Sequence, residues 1–186
     1  MIILIGGASH TGKTLLGDLE VDSLLADDYD AAARLFCDTV HAVNARDYAA
    51  DQLDAWAPCD DQYRAQIVKK LAGQQTASVK ERDILVGFGS LDDKGDVDML
   101  FVHKDRQGQG IGSTILEELE HMAVERGKEH VSLFSSITAK PFFEHVGYAV
   151  ERENSAVRNG VPLANYLMSK RLQEGKTPRD VDAGWA

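Results

Sequence analysis

The chain reads as an α+β protein built on a mostly antiparallel sheet, and three features of its 186 residues say so. Apolar side chains recur at helical spacing through most of the first half. From Gln75 the pattern changes to short runs divided by polar turns, the mark of strands that pair with their chain neighbours. The run Asp96-Val97-Asp98-Met99-Leu100-Phe101-Val102 then leads to Gln107-Gly108-Gln109-Gly110-Ile111-Gly112, an acidic-headed buried strand feeding a glycine-rich turn that opens a helix.

Asp27 or Asp28 caps a first helix in which Ala32, Leu35, Phe36, Val40 and Val43 share a face, up to about Asn44. A second helix covers Tyr48 to Trp56 and stops at Pro58; a third covers Gln62 to Leu71 and ends at Gly73. Strands over Thr76 to Lys80, Ile84 to Leu91 and Asp96 to His103 make an antiparallel meander, with Asp92-Asp93-Lys94-Gly95 as one turn. Ile111, Ile115, Leu116, Leu119, Met122 and Ala123 form the apolar face of the next helix, closed by Gly127. Val131 to Phe134 is a short strand, Ala139 to Val146 a short helix ending at Gly147, and Tyr148 to Glu153 a strand. Asn159-Gly160 turns tightly into Val161 to Met168, and the tail after Leu172 is polar. The predicted order is helices, three strands, helix, strand, helix, two strands.

Length and a 44% hydrophobic content suit one compact unit with a substantial core. No run approaches the roughly 20 apolar residues of a membrane span, and Met1-Ile2-Ile3-Leu4-Ile5 lacks the basic flank and length of a secretory signal, so the expectation is a cytoplasmic protein with no membrane partner. A net charge of −10 argues against a nucleic-acid partner, which needs a basic stripe. It weakly favours cationic small molecules, although solubility is the first reading of that charge. Cys37 and Cys59 have no C-x-x-C spacing and are expected as isolated packing thiols, without a disulfide. Six scattered histidines lack metal-ligand spacing, so no metal is expected.

The glycine turn carries the functional reading. A helix start leaves backbone N–H groups without partners, the helix dipole favours negative charge there, and glycines let a diphosphate approach the main chain. The junction therefore suits a phosphorylated cofactor.

With the preceding strand, the following helix and the late segment Ala139-Lys140-Pro141-Phe142-Phe143-Glu144-His145-Val146-Gly147-Tyr148, the motif Gln107-x-x-Gly110-x-Gly112 resembles the GNAT superfamily of acetyl-CoA-dependent N-acetyltransferases. The resemblance covers roughly residues 19–172, with 1–18 as an N-terminal extension and 173–186 as a polar tail. It implies a GNAT-like mixed, mostly antiparallel central sheet with helices on both faces. It also implies transfer of an acetyl group from acetyl-CoA to a primary amine, small molecule or peptide, by direct attack in a ternary complex.

Carried over from the resemblance, Leu100, Phe101 and Val102 lie along the pantetheine arm and Gly108, Gln109, Gly110, Ile111, Gly112 and Ser113, with Gln107, hold the diphosphate. A backbone donor near Leu100 stabilises the oxyanion. The base that takes the amine proton is Asp96, eleven residues before the motif glutamine, with Asp98 as runner-up; by strand alternation Asp96, Asp98, Leu100 and Val102 face one way. A structural role for either carboxylate is the competing reading. Two departures stand out. Phe143 occupies the place of the tyrosine that protonates the leaving thiolate in many members, so it is read as packing against core and cofactor, and Asp22 stands near the place of the usual first-strand arginine.

A second motif points elsewhere. Gly7-Ala8-Ser9-His10-Thr11-Gly12-Lys13-Thr14 fits the phosphate-binding P-loop and resembles the start of small nucleotide kinases, with Lys13 on phosphates and Thr14 on magnesium. The acetyltransferase-like region begins too soon after it to leave room for that fold. The alternative reading is that Ile2 to Ile5 packs on the sheet or on a partner chain, which would support a homodimer. A P-loop nucleotide-binding protein and a non-catalytic CoA-binding module are the alternatives to the enzyme.

Overall fold

Ala32, Ala33, Leu35, Phe36, Val40 and Val43 line one side of α1 (Tyr29–Val43), and burying that side decides where the helix lies. The computed structural model describes residues 19–172, in which α1 is followed by α2 (Ala50–Trp56) and α3 (Asp61–Leu71). Asp60 caps α3 by accepting from the Tyr63 N–H at 2.7 Å, and Lys69 and Lys70 sit in its last turn, where the dipole favours cations. Asp28 stands at the start of α1 but makes no helix-cap bond. Its carboxylate accepts from the Leu25 N–H and pairs with Lys80 instead. The motif at Gly7–Thr14, the apolar run at Ile2–Ile5 and the tail beyond Leu172 lie outside the described residues.

Among the described residues seven strands make one sheet: β1 (Leu19–Asp22), β2 (Gln75–Glu81), β3 (Ile84–Leu91), β4 (Val97–Val102), β5 (His130–Ser136), β6 (Ala149–Arg158) and β7 (Val161–Arg171), in the order β1-β2-β3-β4-β5-β7-β6. The meander β2-β3-β4 is antiparallel as predicted, and β4–β5 is the parallel pair. Asn159 (φ 49°) and Gly160 (φ 80°) take the left-handed conformations that a two-residue hairpin turn demands, and β7 returns between β5 and β6. β1 is an addition to the order read from periodicity. Its four residues are too few for alternation to register, and it is held by pairing Leu19–Asp22 with Ser78–Glu81 of β2.

Helices cover both faces. On one, α4 (Ile111–Glu125) and α5 (Lys140–His145) pack with Leu100, Val102, Leu133 and Met168; on the other, α1 to α3 pack with Phe88, Met99, Phe101 and Leu163. The seating of α4 depends on two glycines of β3. A Cβ on Gly89 would stand 2.7 Å from Leu119 Cδ1 and 2.9 Å from Ile115 Cγ2, and one on Gly87 would stand 2.9 Å from Ile111 Cγ2. The bare backbone lets the helix descend onto the sheet beside Leu100 and Val102, the cross-strand partners of those glycines.

One expectation is corrected here. Cys37 of α1 and Cys59 of the α2–α3 loop are not separate thiols but form a disulfide, with Cα atoms 5.7 Å apart. The antiparallel packing of α1 on α3, with the Phe36 and Tyr63 rings 6.0 Å apart, folds the intervening loop back onto the middle of α1. Short-range cysteine spacing cannot report a contact made by a helical hairpin.

Gly89→Ala should lift α4 from the sheet and lower stability by about 1–3 kcal/mol, the usual cost of overpacking a tight core. A urea titration reads this directly. An unchanged midpoint would show that α4 shifts at no cost.

Candidate active site

β4 and β5 run parallel, yet their recorded register is the single pair Val97↔Leu133. Past that point the strands part and leave a wedge open between them. Two local features put the parting there. Leu91 of β3 pairs with Val97 and Ser90 pairs with Met99, so Asp98 is an extra residue in β4, a bulge that bends the strand and raises its twist. One residue earlier than the pair, Asp96 Oδ1 accepts from the Ser132 N–H of β5 at 3.0 Å and from Lys128 Nζ at 3.1 Å, which clips the strands together at the root of the wedge.

The bulge corrects the expected sharing of one face by Asp96, Asp98, Leu100 and Val102. Val97, Leu100 and Val102 pack on the α4 side, whereas Met99 and Phe101 pack on the α1 side. Asp98 turns to α3, with Lys70 Nζ at 2.7 Å and Gln74 Nε2 at 2.8 Å. Burial alone would raise its carboxyl; the Lys70 and Gln74 bonds outweigh that and hold it below its ordinary value.

Main-chain direction decides what the wedge offers. The Met99 and Phe101 carbonyls lie 3.0 and 3.2 Å from where Cβ atoms on Gly89 and Gly87 would stand, so they point to β3. Strand alternation then directs the main-chain groups of Leu100 and Val102 to the open side. Phe101, expected along the cofactor, instead has its carbonyl committed to β3 and its ring in the core, 4.8 Å from Phe36 and 5.7 Å from Phe88. The Val102 carbonyl accepts from Gln107 Nε2 at 2.6 Å and from Thr39 Oγ1 at 3.4 Å. The Gln107 side chain thus closes the turn through the Val102 carbonyl.

That turn takes left-handed φ at Gly108 (72°) and Gly110 (82°). Gly110 begins α4 with no side-chain cap, so the N–H groups of Ile111, Gly112 and Ser113 have no acceptor within the helix. Among the described residues, its immediate chain neighbours aside, no atom lies within 4 Å of where a Cβ on Gly110 would stand. Unpaired donors, a positive helix end and open space together fit a diphosphate.

Across the wedge, the buried Ser135 and Ser136 end β5, with Ser136 Oγ accepting from the Ala139 N–H at 3.0 Å. The chain from Thr39 to Tyr48 bridges the gap: Thr39 bonds Val102 at one end, while at the other Asp47 accepts from Thr138 Oγ1 at 2.6 Å and the Tyr48 hydroxyl accepts from the Ile137 N–H at 2.9 Å and donates to the Ala164 carbonyl at 2.6 Å. Burial pushes the Tyr48 hydroxyl up to about 12, so it stays protonated at neutral pH. Between these anchors sits Asn44, fully buried, with neither amide atom hydrogen-bonded to any of the described residues. Sequence reasoning passed over Thr39, Asn44 and Tyr48; the available signal was polar residues interrupting or following an otherwise apolar helix face.

Phe143 is fully buried, with ring centroids 5.1 Å from Phe142 and 5.4 Å from Tyr148. Tyr148 is a core residue whose hydroxyl donates to Glu120 at 3.0 Å, and burial followed by the nearby Glu120 charge holds its proton far above the ordinary value. Neither ring presents an acid to solvent.

A parallel pair parted after one contact lies next to an uncapped glycine turn, and comparison with known proteins gives the class of protein that carries them. Residues 44–170 match the acetyltransferase (GNAT) domain, so the chain belongs to the GNAT family and is an N-acetyltransferase by family. It is 25% identical to the uncharacterized N-acetyltransferase YafP of Escherichia coli strain K12 over 158 residues, 85% of this chain and 99% of that protein. It also resembles the crystal structure of a GCN5-related N-acetyltransferase from Rhodopseudomonas palustris (TM-score 0.80, 32% identity, 87% of this chain and 100% of that one). The fold recurs in the PaiA N-acetyltransferase of Thermoplasma acidophilum, a structure in complex with coenzyme A (TM-score 0.67, 16% identity, 82% of this chain and 98% of that one).

Asp98 gives a pH test. Its folded-state value is lowered, so the unfolded chain takes the proton first as pH falls; the stability it contributes is full above its ordinary value of 3.8 and is lost as pH drops through the lower folded value. Asp98→Asn should therefore be less stable than wild type at neutral pH, with the gap closing below 3.8. Urea midpoints across that range check it, and a gap independent of pH would assign the loss to packing.

Proposed function

We propose that this enzyme takes its acetyl group from acetyl-CoA and passes it to a primary amine by direct attack, with both substrates held in the wedge between β4 and β5. The observation that carries the reading is the single β4–β5 pair beside the uncapped start of α4. Main-chain groups of Leu100 and the N–H of Val102, whose carbonyl is already engaged by Gln107 and Thr39, hold the pantetheine arm, and the N–H groups from Gly108 to Ser113, including Gln109, hold the diphosphate. The acetyltransferase unit is taken as residues 19–172, with the extension 1–18 and the tail 173–186 outside it.

Acetyl-CoA supplies an activated acyl carbon and a thiolate leaving group. The Leu100 N–H, aimed at the open side of β4, is the donor for charge that builds on the acyl oxygen. An alkyl amine has a pKa of about 10.4 and reaches the site charged, so a base must take its proton. Asp96 and Asp98 are the two candidates and their surroundings rank them. Asp98 has both oxygens engaged by Lys70 and Gln74. Asp96 bonds through Oδ1 alone, and its Oδ2 has no partner among the described residues. Asp96 is therefore the base and Asp98 a positioning residue that ties the bulge to α3. A simple thiol has a pKa near 8.5, so the thiolate departs without a protein acid, consistent with phenylalanine at 143.

Calorimetric titration with acetyl-CoA, then thiol release over a panel of amines, tests the reading. Gly110→Ala, which forces a Cβ into a left-handed position facing the diphosphate, should weaken acetyl-CoA binding by about tenfold or more. Wild-type indifference to saturating acetyl-CoA would remove the proposal; binding without turnover on any amine would leave a CoA-binding module. Asp96→Asn should cut kcat by about 10²–10⁴-fold and abolish the acid limb of the pH profile while keeping acetyl-CoA affinity. Asp98→Asn should keep the profile, and an unaltered profile in both variants would reject a carboxylate base.

A further inference from the structure

On the outer side of the helical layer, Cys37 and His41 lie at i and i+4 of α1, where side chains share a face. Cys59 reaches them from the α2–α3 loop. One ligand atom from each of the three lies within 4.8 Å of the others. The Ala57 carbonyl stands 2.8 Å from His41 Nε2 and 3.0 Å from Cys59 Sγ, which holds ring and sulfur side by side. Asp54 Oδ1 is 3.9 Å from the other ring nitrogen, Nδ1. Cys59 has φ 62°, a left-handed conformation uncommon for a residue with a side chain, so the loop holds this thiol in place against backbone preference.

The two sulfurs are joined here as a disulfide. Two-electron reduction by a thiol or phosphine reductant breaks the S–S bond and adds two protons, giving two thiols beside an imidazole. In a tetrahedral zinc site, bonds of about 2.3 Å to sulfur and about 2.0 Å to nitrogen place ligand atoms roughly 3.5–3.8 Å apart, a spacing this cluster reaches by side-chain rotation. We propose that the reduced protein binds one thiophilic divalent cation of the zinc class through Cys37, His41 and Cys59, with Asp54 or water completing the tetrahedron. Binding releases the two thiol protons, and oxidation takes two electrons from the two thiolates to the oxidant, a disulfide that becomes two thiols or a peroxide that becomes water, so that the S–S bond re-forms and the ion is expelled. Access is provided by a cavity of about 230 Å³ bordered by both cysteines, Tyr63 and Ile67. Its guanidinium groups do not oppose a cation strongly, because Asp30 and Asp61 pair Arg34 and Arg64. This site is separate from the acetyl-transfer reading and survives its failure.

The test uses the full chain, reduced with a phosphine under anaerobic conditions, freed of reductant and titrated with Co²⁺. The expected result is a thiolate-to-cobalt absorption band that saturates at one ion per chain, is bleached by one equivalent of Zn²⁺, and is absent from the oxidised protein. Cys59→Ser, at an exposed loop position and with its fold checked by circular dichroism, should abolish the high-affinity band, and His41→Gln should weaken cobalt binding tenfold or more. No band from the reduced wild type, or a band that persists in Cys59→Ser, overturns the proposal.

Discussion

The pair Val97↔Leu133, clipped one residue earlier by the hydrogen bond from the Ser132 N–H to Asp96, marks the last place where β4 and β5 hold each other, and the rest of the molecule is organised around what happens beyond it. A strand that leaves its neighbour exposes main-chain donors and acceptors that the folded state must satisfy by other means. Here Val102 is met by Thr39 and Gln107, whereas Leu100 keeps its edge toward the gap. The bulge at Asp98 supplies the extra twist, and Lys70 and Gln74 hold that bulge from the helical side.

The gap is tolerable because both of its ends are buttressed. On one face α4 is drawn close by the missing side chains at Gly87 and Gly89, so Ile111, Ile115 and Leu119 fill the space beside β4 and hold the helix start at its mouth. On the other, the stretch from Thr39 to Tyr48 spans from β4 to the chain after β5 with hydrogen bonds at each end. Thr39, Ser135, Ser136 and Thr138 are buried, and each makes a hydrogen bond within the protein. Asn44 is the exception in this region, and a buried amide with no partner among the described residues carries a cost in stability.

Elements with strong periodicity were legible from the residues: α1, α4, the three-strand meander and the Asn159-Gly160 hairpin all stand where spacing put them. The glycine turn was legible too, because left-handed backbone at Gly108 and Gly110 requires glycine and leaves a signature. The site's finer geometry was not. One extra residue in β4 reversed the face of Asp98 relative to Leu100, and alternation counted along a strand has no access to a bulge made with its neighbour. The Cys37–Cys59 bond and the bridge by Tyr48 are tertiary contacts between segments 22 and 89 or more residues apart, which no local pattern encodes. Strand β1 is stabilised by its pairing to β2 and not by its own four residues.

The return of β7 between β5 and β6 has a consequence for how the molecule is made. β5 is bonded to β4 at one residue pair but to β7 along its whole length, from His130↔Arg171 to Ser136↔Asn165. During synthesis β5 leaves the ribosome well before the strand that secures it, so half of the sheet waits for a segment made some thirty residues later. The amino-terminal meander with α1 to α4 has no such wait. The assembly order is therefore polarised, and the gap between β4 and β5 is among the last features to take shape.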